Sequence, residues 1–373
     1  MAGLYVHIPF CATRCSYCGF YSTTKLDLQD RYVDSLCREI ALRKEYLSSY
    51  STDSKAANTI IRTIYIGGGT PSQLSRYSLE KLFHAIDTYL ECSPEEVTME
   101  VNPDDVTNDL AETISALHIN RVSMGAQTFD DNRLKFLNRR HKSFQVERAI
   151  DILHEHGVGN ISIDLMFGFP GQTCDSWKED VRRAINLDIQ HISAYSLIIE
   201  EGTPFYEKYG EGERAEARRR RELPDEDTER LMYQFTKNIL QNYGYHRYEI
   251  SNYAKEGYEC RHNLGYWNRT EYLGIGTGAA SLINNQRFVE GGEIEVLTPQ
   301  NQMEEYMFLG LRRIKGISKA DFRRTFGRSV ENVYGKVLIH MYQKQLLEDT
   351  GDNIRLTEKG IDVSNYVMSE FLF

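Results

Sequence analysis

Six times between Leu4 and about Ile199, a short run rich in Val, Ile or Tyr precedes a longer stretch with apolar residues at helical spacing. The strand candidates are Leu4–Ile8, Thr63–Gly67, Val97–Val101, Arg121–Gly125, Ile161–Phe167 and His191–Leu197. Amphipathic stretches such as YSLEKLFHAIDTYL and TNDLAETISALHI lie between them. This alternation is a strong constraint, because parallel strands need long right-handed crossovers between them. Six such units predict an α/β fold whose parallel sheet curls into a partial (β/α)6 barrel. Chemistry in such a fold gathers at the C-terminal strand ends. Every motif of unusual composition falls there. A cysteine loop follows the first strand and GGGTPS the second, while EVNP, GAQTF and DLMFGFPGQ close the third, fourth and fifth.

The cysteine loop, HIPFCATRCSYCGF from His7 to Phe20, places Cys11, Cys15 and Cys18 within eight residues of a chain holding only 7 cysteines among 373 residues. An odd count with three clustered is no disulfide framework; it fits thiolates kept for metal in a reducing cytoplasm. A structural zinc site closes with four ligands, typically as two separated pairs. No second cysteine pair exists, and the nominal fourth ligand, His7, lies on the strand ahead of the loop. A cubane 4Fe–4S cluster takes one cysteine per iron. Three would leave one iron with the open position that catalytic metals keep.

The other strand ends carry groups suited to a polar ligand. Gly67, Gly68 and Gly69, followed by Thr70, form a turn whose backbone can approach a ligand closely. Glu100 can accept from hydroxyls or an ammonium, Gln127 and Asp164 end the next two strands, and Arg139 can fork a carboxylate. Each alone is commonly a satisfied structural group, and a Gly-rich turn is commonly just a βα connection. Set on successive strand ends, they point to a shared pocket.

Composition bounds the rest. At 41% hydrophobic and 26% charged the chain is globular, and its length suggests more than one domain. A formal charge of -10 argues against nucleic acid as a partner, which calls for a basic surface. No run of 18 apolar residues and no N-terminal leader pattern is present, so a cytoplasmic location is expected. Residues 1–200 read as the barrel, 201–315 as an aromatic-rich α+β extension, and 316–373 as a C-terminal mixed α+β, winged-helix-like lobe. The basic run near Arg218–Arg221 reads as a solvated loop leading into a helix. A further helix is expected near Gln300–Ile314. The last segment has eight basic and eight acidic residues, so DNA binding by the lobe is not expected.

The ordered set YxHIPFCxxxCxYCxF, GGGTPS, ExNP, GxQ[ST]F, RxH and DLMxGxPxQ resembles the radical S-adenosylmethionine (SAM) superfamily. More narrowly, it is similar to the branch holding oxygen-independent coproporphyrinogen III dehydrogenase and the HemW heme chaperones. The match runs over nearly the whole chain. The resemblance implies that Cys11, Cys15 and Cys18 hold a 4Fe–4S cluster whose open iron chelates the amino and carboxylate groups of SAM. In that superfamily an electron from the cluster cleaves the sulfonium to methionine and a 5′-deoxyadenosyl radical. By the same resemblance Tyr5, Gly68 and Glu100 line a first SAM. Tyr17, Gly69, Thr70, Gln127, Arg139 and Asp164 line a second. Arg140 competes with Arg139 for its role, and Asn138 stands where the family usually carries Gly.

Three features separate chaperone from dehydrogenase. Phe20 stands where the dehydrogenase has a further cysteine, only four residues precede Tyr5, and HNLGYW (His262–Trp267) matches the HNxxYW signature associated with the chaperone. An imidazole can ligate heme iron, and Tyr266 and Trp267 can stack on a macrocycle. A lone histidine is by default a structural group, but the motif makes His262 a candidate heme contact. Cys260 reads as buried and inert. The resemblance thus implies heme or a porphyrin, heme-accepting proteins, an electron donor and a transient membrane-protein acceptor as partners. The enzyme reading, decarboxylation of coproporphyrinogen propionates to vinyls, is the alternative. Heme ring opening is a third.

Overall fold

The computed structural model describes residues 2–47 and 60–373. Six parallel strands occur in chain order: β1 (Ala2–Ile8), β2 (Ile61–Gly68), β3 (Cys92–Val101), β4 (Arg121–Gln127), β5 (Ile161–Phe167) and β6 (His191–Ser196). Each contains the expected strand or all but its last residue; β3 begins five residues early.

These strands alternate strictly. Leu4, Val6 and Ile8 of β1, Ile64 and Ile66 of β2, Val97, Met99 and Val101 of β3, and their counterparts on β4 to β6 lie in one continuous apolar core. The intervening residues include Tyr5, Tyr65, Glu100, Ser123, Asp164 and Ser193. Register aligns them into rows: Tyr5 pairs with Tyr65, Glu100 with Ser123, and Asp164 with Gly125 and Ser193. A parallel strand buried on both sides usually reads as continuously apolar. Here the period of two gives the helices an apolar face and the barrel interior a polar one.

The sheet does not stop at the six strands. After β6 come β7 (His246–Arg247) and β8 (Asn252–Ala254); β8 pairs antiparallel with β6 and β7 pairs antiparallel with β8 at the sheet edge. On the opposite edge β9 (Tyr272–Ile275) runs parallel to β1. It leads into the antiparallel β10 (Ala280–Ile283), β11 (Gln286–Val289) and β12 (Glu295–Val296). The aromatic, Gly-punctuated stretch 245–281 is expected to belong to an α+β extension, but its pattern locates no individual strand. Its strands are short, and Gly274 belongs in one because a Cβ there would sit 2.1 Å from the Ala280 carbonyl oxygen.

The basic run corrects an expectation: it is helical, Glu213–Glu222, not a loop. Alanine, arginine and glutamate favour helix, and Arg220 pairs with Glu216 one turn earlier. The expected helix near Gln300–Ile314 spans Pro299–Gly310, capped by Thr298. Beyond it β13 (Ile317–Ser318) is followed by the helices Lys319–Phe326 and Val330–Gln343 and then by β14 (Leu347–Asp349) and β15 (Asn353–Leu356), the three strands forming one antiparallel sheet. Phe322, Leu338 and Phe371 of this winged-helix-like lobe form a second apolar cluster together with Leu311 of the segment before it.

Candidate functional site

Residues 11–18 have no regular structure and are tied down from several directions. The Cys11 amide donates to the Thr23 carbonyl at 2.9 Å, Ser16 donates to Leu137 at 3.1 Å, and the Phe205 amide donates back to Ser16 at 3.0 Å. Asn138 Nδ2 donates to the Arg14 carbonyl at 2.8 Å. Asn138 has φ of 59°, a left-handed backbone that suits glycine and that asparagine tolerates.

The loop roofs a cavity of about 150 Å³ at the C-terminal ends of the strands. Cys11, Cys15 and Cys18 line it, with Tyr17, Gly68, Gly69, Thr70, Glu100, Gln127, Arg139 and Asp164. Eight of the nine expected SAM residues therefore meet on one wall-to-wall surface. Tyr5 does not. Its hydroxyl lies 3.0 Å from His7 Nδ1 and it faces a neighbouring cavity.

The glycine turn is demanded by close approaches on three sides. A Cβ at Gly67 would fall 3.0 Å from the Glu100 carboxyl carbon, one at Gly68 (φ +114°) 2.5 Å from the His7 ring, and one at Gly69 2.7 Å from the Pro9 carbonyl carbon. This crowding pins the Glu100 carboxylate, which accepts from Tyr65 Oη at 2.8 Å and the Gly68 amide at 3.0 Å. Burial, helped by the nearby Asp164 charge, pushes its pKa up to about 7. Burial also raises Asp164 above the usual carboxylate range.

Two guanidinium groups line this cavity, the exposed Arg14 of the loop and the more deeply set Arg139. Arg139 Nη2 donates to Asn102 Oδ1 at 2.8 Å and to the Gly125 carbonyl at 2.5 Å, and Nη1 lies 3.5 Å from Cys15 Sγ. Its Nε is buried without a partner, a cost that a bound anion or carboxylate would relieve. Arg140 turns away and pairs with Asp104 at 2.7 Å and Asp105 at 2.6 Å. Those carboxylates, just past β3, hold Arg140 out of the cavity that Arg139 enters. His141 is structural, buried with Nε2 3.2 Å from the Ala126 carbonyl.

A tetranuclear cluster fits this lining. Three thiols meet there beside a cation, and the mutual influence of Cys11, Cys15 and Cys18 reflects their proximity. Among the described residues no three Cys, His, Asp or Glu groups converge on a single metal ion; a cubane spreads its cysteines over separate irons. Burial raises the Cys11 and Cys18 thiols, so metal binding must drive their deprotonation.

Among the cavity residues outside the expected set, two make hydrogen bonds to members of it that sequence reading missed. Asn102 bridges Arg139 and Thr70, donating to Thr70 Oγ1 at 3.4 Å; its signal was its place inside the quoted EVNP. Tyr195 donates to Gln127 Oε1 at 3.2 Å. The even spacing of His191, Ser193 and Tyr195 along β6 would have placed it on the inner face.

His262 lies elsewhere. The helix Arg261–Trp267 packs against β1 and β2 near their N-terminal ends, its first amides held by Glu96. His262 is only 3% exposed. Its Nδ1 is 2.9 Å from Thr63 Oγ1 and its Nε2 2.9 Å from Tyr266 Oη. Burial drives its pKa down to about 3, so the ring is neutral and both nitrogens are engaged. In this arrangement neither is free to ligate iron. Cys260 is fully buried and its thiol is pushed up to about 12 by burial, the inert state expected of it.

Comparisons with known proteins parallel this layout. Residues 5–184 match the radical SAM superfamily model and residues 297–363 the HemN C-terminal domain. The heme chaperone HemW of Bacillus subtilis (strain 168) is 36% identical, the alignment covering 100% of this chain and 99% of that protein. HemW of Lactococcus lactis is also 36% identical, over 99% and 96%, and that of Haemophilus influenzae 30%, over 99% and 97%. Among solved structures, the Escherichia coli coproporphyrinogen III oxidase HemN superposes with a TM-score of 0.82, covering 100% of this chain and 90% of that one at 21% identity. That likeness concerns the fold.

Proposed function

The chain belongs to the family of the heme chaperone HemW within the radical SAM superfamily, and from that premise we propose that it binds heme and hands it to acceptor proteins. It is a 4Fe–4S and SAM protein by family. The observation that carries the reading is the single cavity in which three cysteines face the strand-end polar set. In this reading Cys11, Cys15 and Cys18 hold the cluster, which supplies a redox-active iron with an open position. Gly68 and Glu100 line the first SAM, with Tyr5 supporting from the adjoining wall. Tyr17, Gly69, Thr70, Gln127, Arg139 and Asp164 line the second.

The chain's own groups divide the work. Glu100, pinned by Tyr65 and Gly68, receives a ligand ammonium or hydroxyl. Arg139, with its unpartnered Nε, receives a carboxylate. An electron donor, a transiently docked membrane protein as one heme acceptor, and a cytoplasmic setting complete the proposal. Among the described residues no helix is long and apolar enough to cross a membrane. His262 as an axial ligand belongs to this reading only if its bond to Tyr266 opens.

The test is anaerobic reconstitution followed by two assays. Heme titration is expected to saturate. Coproporphyrinogen supplied with reductant and SAM is expected to yield no protoporphyrinogen. Robust conversion would replace the chaperone reading with the dehydrogenase. Failure to bind heme would remove it outright.

A further inference from the structure

Beside the cluster cavity lies a second, larger one of about 500 Å³, within the range of roughly 300–1,000 Å³ that organic ligands occupy. The two share Phe20, so they adjoin at the cysteine loop. Its walls are rings: Phe20 and Tyr21 from that loop, Tyr266 from HNLGYW, Tyr272 of β9, and Phe308 from the helix Pro299–Gly310. Phe20 and Tyr21 are 68% and 57% exposed, an apolar pair left open to solvent.

The one formally charged side chain lining this cavity is a guanidinium, that of Arg287, and its Nη2 bonds the buried Glu305. Glu305 also accepts from Arg269 at 2.8 Å, so two guanidinium groups share one carboxylate. Glu295 forms a looser ion pair with Arg287, its carboxylate 3.6 Å from Nη1, so this contact is the one an incoming anion can replace. A flat aromatic body with an anionic edge matches these walls, by stacking on the rings and by a charge-assisted bond at Arg287.

Resting on the heme reading above, we infer that the cavity between the cysteine loop and β9–β11 seats the tetrapyrrole, its propionate edge toward Arg287 and its ring among the Tyr and Phe side chains. The competing location is the adjoining cavity of about 280 Å³ lined by His262, Leu264 and Gly265 near the strand beginnings, which shares Tyr266 and Tyr272 with the aromatic one. That cavity mixes both signs of charge, with Arg62, Arg261, Glu95 and Glu271 on its walls. The aromatic cavity recognises ring and carboxylate, so iron-free protoporphyrin binds there about as well as heme.

The experiment titrates heme and protoporphyrin into cluster-loaded protein, with cluster absorbance as the integrity check. Arg287→Gln is expected to weaken both ligands about tenfold, from the loss of one charge-assisted bond. Ala280→Phe, which fills the cavity, is expected to weaken both at least as much, and His262→Ala neither. Should Ala280→Phe fail to fold, Arg287→Gln still decides. Wild-type protein that binds no heme sinks the chaperone reading itself. Heme binding that is unchanged in both cavity variants, or lost only in His262→Ala, overturns this inference and leaves that reading standing.

Discussion

Changing Cys11, Cys15 or Cys18 to serine, one at a time, is expected to remove the iron–sulfur absorbance and paramagnetic signal of reconstituted protein. Each thiol lines the same cavity at the strand ends. A cubane bound through only three protein ligands has none to spare. Changing Cys37, Cys92 or Cys174 is expected to leave both signals intact. Cys37 donates to the Lys81 carbonyl at 3.7 Å and Cys174 to the Thr228 carbonyl at 3.9 Å, far from the loop in sequence. None of the three lines the cluster cavity. An equal loss on changing Cys92 would mean that the cluster sits elsewhere.

The second large effect is expected at Glu100. In cluster-loaded protein, Glu100→Ala should weaken SAM binding by one to two decades in isothermal titration, since losing a charge-assisted hydrogen bond costs roughly 1.5–3 kcal/mol. The carboxyl pKa near 7 adds a pH signature. A cationic ligand group needs the carboxylate ionised, so affinity should fall as pH drops below about 7, by up to about tenfold per unit. The linked stability runs the other way. A folded pKa raised above its ordinary 4.5 stabilises the empty protein most below about 4.5, and that contribution is lost as pH rises through about 7. Glu100→Gln should flatten the affinity profile while retaining the cluster absorbance. A wild-type affinity independent of pH between 5.5 and 8, to within about twofold, would remove Glu100 from the ligand set.

The strand-end site was legible because its signals are local. A CxxxCxxC loop needs no distant partner to be recognised. Period-two alternation assigns Glu100 and Asp164 to the inner face while Met99, Ile163 and Leu165 face the helices. The extension was poorly legible for the opposite reason. Strands of two to four residues, such as β7 to β12, carry too few positions for a period to show. They exist because the edges of a six-stranded sheet offer unpaired amides and carbonyls to whatever chain passes.

By itself the sequence determined the parallel sheet, the order of its motifs and the three thiols. Tertiary structure decided which neighbour serves. Arg139 rather than Arg140 enters the cavity because Asp104 and Asp105 claim Arg140. Tyr5 belongs to the aromatic cavity because β1 stands at the seam between the barrel and β9. HNLGYW reads as a ligand motif, yet its histidine is buried against Thr63 and Tyr266 because Glu96 fixes the helix that carries it across the strand beginnings. The deciding carboxylates lie far off in the chain, Asp105 at 35 residues from Arg140 and Glu96 at 166 from His262, distances over which spacing and periodicity carry no information.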